Sequence, residues 1–84
     1  VTAIAPSSLL LYRGNIFRDW QGNLFAGGLV SKSVTRIKLE GNKTIVRETI
    51  PVGQRVRDVR QGKDGFIYIL TDKQAGQLIR LESM

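Results

Sequence analysis

Two arginines stand two residues apart in the segment Arg55-Val56-Arg57-Asp58-Val59-Arg60. On a regular β-strand, residues i and i+2 point to the same face about 6 to 7 Å apart, so Arg55 and Arg57 are expected to present two guanidiniums side by side. That spacing suits an anionic ligand carrying several carboxylates, because each guanidinium can donate a paired fork of N–H bonds. The competing reading pairs Arg57 with a neighbouring acid, Asp58 or Asp72. Other chemistry is sparse. The chain has no histidine and no cysteine, which removes the commonest general base, the commonest zinc ligand and any thiolate or disulfide. Asp58, Asp64 and Asp72 do not have the spacing of a calcium loop, and Asp64 precedes Gly65 as a turn residue does. No catalytic residue and no metal ligand is assigned.

Thirteen Lys and Arg against seven Asp and Glu give the 84 residues a formal charge of +6, which attracts polyanions or an acidic small molecule. The basic residues run from Arg13 to Arg80, and several alternate with apolar neighbours, as in Arg36-Ile37-Lys38-Leu39. Such alternation marks the solvated face of a half-buried strand. One functional reading is therefore a basic β-rich module that binds polyanions, although no nucleic-acid motif accompanies the charge. Phe17 and Trp20 flank Arg18-Asp19 and could stack a base or a sugar ring, or pack on a sheet edge. Asn42-Lys43-Thr44 fits a glycosylation acceptor, but Gly41-Asn42 is also what a tight hairpin turn selects.

The elements that must position these side chains are strands. Apolar residues recur with period 2 in short runs bounded by Gly, Asn, Asp and Pro. The pattern predicts strands over residues 8–13, 23–29, 34–40, 44–52, 56–60, 66–71 and 77–82, with no helix. Turns are expected at Gly14-Asn15, Gln21-Gly22-Asn23, Gly41-Asn42, Gly53-Gln54, Lys63-Asp64-Gly65 and Ala75-Gly76. Leu24-Phe25-Ala26-Gly27-Gly28-Leu29 and Phe66-Ile67-Tyr68-Ile69-Leu70 are apolar on both faces, as in strands inside a covered sheet.

The strands after these two, Arg36-Ile37-Lys38-Leu39-Glu40 and Ile79-Arg80-Leu81-Glu82, repeat one alternating pattern about 42 residues apart, a separation typical of a four-stranded propeller blade. The chain is thus all-β: residues 8–52 form one antiparallel four-stranded blade and residues 56–84 a closing blade that lacks its outer strand. Propellers close by letting one terminus lend a strand to the other's blade. A seven-stranded β-sandwich is the simpler alternative.

Ile4-Ala5-Pro6-Ser7-Ser8 leading into Leu9-Leu10-Leu11-Tyr12, then Gly22-Asn23-Leu24-Phe25 and Arg36-Ile37-Lys38-Leu39, resemble a segment of the soluble aldose sugar (glucose) dehydrogenases that use pyrroloquinoline quinone (PQQ). Arg55-Val56-Arg57-Asp58-Val59, Asp64-Gly65 and Tyr68-Ile69-Leu70-Thr71-Asp72 look like the C-terminal blade of that family. The resemblance implies about one and three-quarter blades of a six-bladed propeller. It also implies a parent enzyme that oxidises the C1 hydroxyl of aldoses with the quinone as hydride acceptor, in a periplasmic or secreted setting. The family's catalytic base is a histidine of an earlier blade, and its calcium ligands lie outside the matching segment. What carries over is cofactor binding by Arg55 and Arg57, whose counterparts contact the quinone's carboxylates and oxygens. The Phe-x-x-Trp segment before Gly-Asn-Leu recurs in the family as a packed turn. The chain departs from the pattern where Val30 follows Gly28-Leu29 in place of a lysine, with Lys32 two residues on, and where Val1 replaces an aromatic residue.

A domain of this length buries roughly 60% of the surface its unfolded chain exposes, so partners are expected. The sequence begins at Val1, with no signal peptide and no apolar run long enough to span a membrane. It therefore reads as a processed chain or a piece of a longer one, a truncated relative that lacks the catalytic base. Its partner is the rest of a propeller or, alternatively, copies of itself, three of which would close a six-bladed ring.

Overall fold

A computed structural model of the chain describes residues 6–28, 32–72 and 76–82. Seven strands are present: β1 (Pro6–Leu11), β2 (Leu24–Gly28), β3 (Ser33–Glu40), β4 (Lys43–Pro51), β5 (Val56–Gln61), β6 (Ile67–Thr71) and β7 (Leu78–Leu81). They form a four-stranded sheet ordered β1-β2-β3-β4 and a three-stranded sheet ordered β5-β6-β7, antiparallel throughout. Among the described residues the only helical piece is a single 3₁₀ turn, Arg18–Trp20, and no helix is long and apolar enough to cross a membrane. Strand order follows chain order in both sheets, as short turns dictate.

All seven expected strands form, with shifts of one or two residues at their ends. β1 stops at Leu11 rather than at Arg13, although Tyr12 continues the pairing by donating its N–H to the Asn23 carbonyl at 3.0 Å. Leu29, Val30, Ala75, Val1 and the Ile4-Ala5 entry lie outside the described residues. The β3–β4 turn needs glycine at one position only: Gly41 sits at φ 62°, and Asn42 is not among the residues with positive φ, the pattern of a two-residue hairpin with glycine first.

The core lies between the sheets. Tyr12, Phe25, Val34, Val56, Ile67 and Ile69 are fully buried, joined by Phe17 and Val59. Backbone contact between the sheets runs chiefly through β5 against β1 and β2, so the sheets meet along their first strands. A sandwich would lay all of one sheet over the other. Four- and three-stranded antiparallel sheets joined in this way are propeller blades.

Two side-chain bridges lock the seam. Ser8 Oγ accepts the Val59 N–H at 2.9 Å, and Gln61 Oε1 accepts the Arg13 N–H at 2.9 Å. Below them the Tyr12 hydroxyl accepts the Phe17 N–H at 3.1 Å and donates to the Gly65 carbonyl at 2.5 Å. Gly14 leaves the room this requires, since a Cβ there would lie 2.5 Å from the tyrosine oxygen and 2.8 Å from the Gly65 oxygen. The Phe17–Trp20 segment packs on this seam. Phe17 stacks on Trp20 with ring centroids 4.7 Å apart, Trp20 meets Phe25 at 5.3 Å, and the Arg36 guanidinium lies 5.5 Å from the indole centroid. Trp20 thus serves packing, its ring flanked by three partners.

Candidate functional site

Arg55 and Arg57 sit where the chain enters β5, the strand nearest the neighbouring sheet. Alternation along β5 is broken. Val56 and Val59 are both buried, three residues apart, which a regular strand cannot achieve because its faces alternate with period 2. The register explains it: Val56 pairs with Thr71 and Asp58 with Leu70, leaving Arg57 as the extra residue of a β-bulge. A bulge re-aims the side chain at its position and is common at sheet rims. Arg55 and Arg57 are both exposed, but Arg57 is itself the bulged residue and Arg55 lies before it, so the two do not share one face of a regular strand, a feature that sequence alternation alone does not reveal.

The acids expected to neutralise Arg57 go elsewhere. Asp72 Oδ2 lies 3.8 Å from Arg55 Nε. The Asp58 carboxylate takes Arg60 Nε at 2.7 Å, and its Oδ1 also accepts the Val59 N–H at 2.9 Å. The Arg60 bond, followed by lesser charge and backbone contributions, lowers the Asp58 pKa below the ordinary 3.8 despite opposing desolvation. None of the ion pairs among the described residues includes Arg57.

Asp64 is a turn residue. It accepts the Phe66 N–H at 3.0 Å and the Tyr68 hydroxyl at 2.5 Å, and the tyrosine bond lowers its pKa while raising that of Tyr68. Asp58, Asp64 and Asp72 therefore each have a separate partner. Among the described residues no group of three potential metal ligands comes together.

Lys32, just before β3, holds the segment that follows β4. Its carbonyl accepts the N–H groups of Val52 and Gly53, both at 3.1 Å, so the segment leading to Arg55 is anchored on it. Lys32 is the one described non-glycine residue with positive φ, 53°, and it is exposed. Among the described residues, one groove runs along the seam, lined by Leu9, Leu10 and Asp58 to Gln61, and another lies over Asp58, Arg60, Tyr68, Leu70 and Leu78. Neither includes Arg55 or Arg57, and the only acid–base pair in either is Asp58 with Arg60, already bonded to each other.

The profile of the glucose/sorbosone dehydrogenase family matches residues 1–80. The sequence is 56% identical over 82 residues to an uncharacterized protein of Synechocystis, covering 96% of this chain and 20% of that one. It is 39% identical over 79 residues to the aldose sugar dehydrogenase YliI of Escherichia coli, covering 92% of this chain and 21% of that one. A solved glucose dehydrogenase superposes with a TM-score of 0.89 at 36% identity, over 98% of this chain and 24% of its own. The soluble aldose sugar dehydrogenase of Escherichia coli in its apo-form superposes with a TM-score of 0.74 at 37% identity, over 86% of this chain and 21% of its own. The chain spans between a fifth and a quarter of the length of these relatives.

Proposed function

The chain belongs to the glucose/sorbosone dehydrogenase family, and we propose that it is the cofactor-cradling C-terminal part of a quinone-dependent aldose sugar dehydrogenase, with Arg55 and Arg57 holding the carboxylates of PQQ. Residues 8–52 supply one blade and residues 56–84 the closing blade.

The observation that carries this reading is the bulge at the start of β5. It leaves Arg55 and Arg57 exposed at the entry to β5, the strand that contacts the neighbouring sheet, with Arg57 outside every ion pair among the described residues. The donor set fits the group, because a polycarboxylate ligand needs paired N–H donors and guanidiniums supply them in planar forks. The bound quinone supplies a two-electron acceptor. Arg55 and Arg57 contribute binding and orientation. With no histidine in the chain, the base that takes the proton from the sugar's C1 hydroxyl belongs to residues outside it.

The remaining blades come from a longer chain, which the one-fifth to one-quarter coverage of the relatives favours over a trimeric ring of this chain alone. A discrete trimer by light scattering would reverse that preference. The polyanion-binding reading has only the net charge of +6 behind it.

Calorimetric titration with PQQ tests the assignment. Saturable binding is expected, and Arg55→Ala or Arg57→Ala should each cost roughly 1.5–3 kcal/mol, the range for hydrogen bonds to charged groups. Undiminished affinity in both variants would refute it.

A further inference from the structure

Asp72 meets Arg55 at two points, one a backbone hydrogen bond and the other a longer contact between opposite charges. Its N–H donates to the Arg55 carbonyl at 2.7 Å, and its Oδ2 stands 3.8 Å from Arg55 Nε. The residue before it is held firmly. Thr71 is buried, is paired with Val56, donates its N–H to the Gln77 carbonyl at 2.9 Å and accepts the Gln77 N–H on its hydroxyl at 2.8 Å. Gln77 in turn accepts the Gln54 side-chain amide at 2.9 Å, next to Arg55. The backbone that bears the Asp72 carboxylate is thereby fixed relative to the arginine.

A guanidinium has two donating edges, one shared by Nε and an Nη, the other formed by the two terminal Nη groups. A carboxylate that narrows the rotamers from the Nε side would leave the terminal edge to a ligand. We infer that Asp72 is a positioning residue that holds Arg55 by its Nε side and so presents the terminal fork to the carboxylates of the bound ligand. The inference rests on the quinone-binding reading. Holding an arginine in place removes conformational entropy that ligand binding would otherwise have to remove.

This role has a sign opposite to that of simple charge. Removing a carboxylate near an anion site strengthens anion binding if charge alone acts, and weakens it if the carboxylate positions the arginine. In PQQ titrations of the chain, Asp72→Asn should weaken binding about two- to fivefold, the scale of an exposed ion pair. The same substitution in an Arg55→Ala background should have no effect. Unchanged or tighter binding in Asp72→Asn, or an equal loss in the Arg55→Ala background, would overturn the inference.

A second measurement needs no ligand. Relaxation of the Arg55 Nε–H group should report an ordered side chain in the free protein and a more mobile one in Asp72→Asn. Equal order in the two would overturn the inference even if PQQ binds. Failure of the unsubstituted chain to bind PQQ, with the order difference present, would contradict the functional reading and leave the positioning intact.

Discussion

The Tyr12 hydroxyl and the Gly65 carbonyl, 53 positions apart in sequence, meet at 2.5 Å between the two sheets. The same oxygen receives the Phe17 N–H, so one buried side chain serves a donor from the first blade and an acceptor from the second. Tyr12→Phe keeps the ring and strands both backbone groups. A loss of about 1–3 kcal/mol is expected, the cost of leaving buried polar groups unpaired. It should appear as a lower denaturant midpoint at constant m-value, and an unchanged midpoint would show that the tie contributes nothing.

Acid sensitivity should include a part due to Asp58. Its pKa is held below 3.8 chiefly by the Arg60 side-chain bond. A carboxylate depressed in the folded state contributes stability that is fully present above its unfolded value and is lost as pH falls through the folded value. Stability from this group should therefore be complete above about pH 4 and decline below it. Carboxyl titration by NMR should place the Asp58 midpoint under 3.8, and Asp58→Asn should flatten the acid limb. A midpoint at or above the ordinary value would contradict the assignment.

Lys32 occupies left-handed backbone space at φ 53°, where a side chain costs about 1–2 kcal/mol relative to glycine. Lys32→Gly should raise stability, by less than that figure because glycine also gains entropy in the unfolded chain. Equilibrium unfolding of the variant measures the balance, and a clear destabilisation would mean that the lysine side chain makes compensating contacts.

Much of this architecture is legible before any coordinates. Leu24–Gly28 and Ile67–Thr71 are interior strands of their sheets, as their apolar character on both faces implies. Trp20 packs against Phe17 and Phe25, as a loop aromatic between two strands tends to do. The site was less legible. The bulge at Arg57 depends on how β5 registers against β6, and period-2 alternation alone assumes a regular strand. Near one another in sequence, Arg57 and Asp58 look like natural partners. The aspartate instead reaches Arg60, two residues along the strand, while Asp72 is delivered to Arg55 by pairing of Thr71 with Val56. The Tyr12–Gly65 bond was invisible for a related reason, since its acceptor is a turn carbonyl whose direction no side-chain pattern records.

The most direct test of the central claim compares PQQ with its triester, which keeps the ring system and the quinone but lacks free carboxylates. If Arg55 and Arg57 hold those carboxylates, the chain should bind the acid saturably and the ester far more weakly, and Arg55→Ala with Arg57→Ala together should erase the difference. Equal affinity for acid and ester, unchanged in the double variant, would contradict the account.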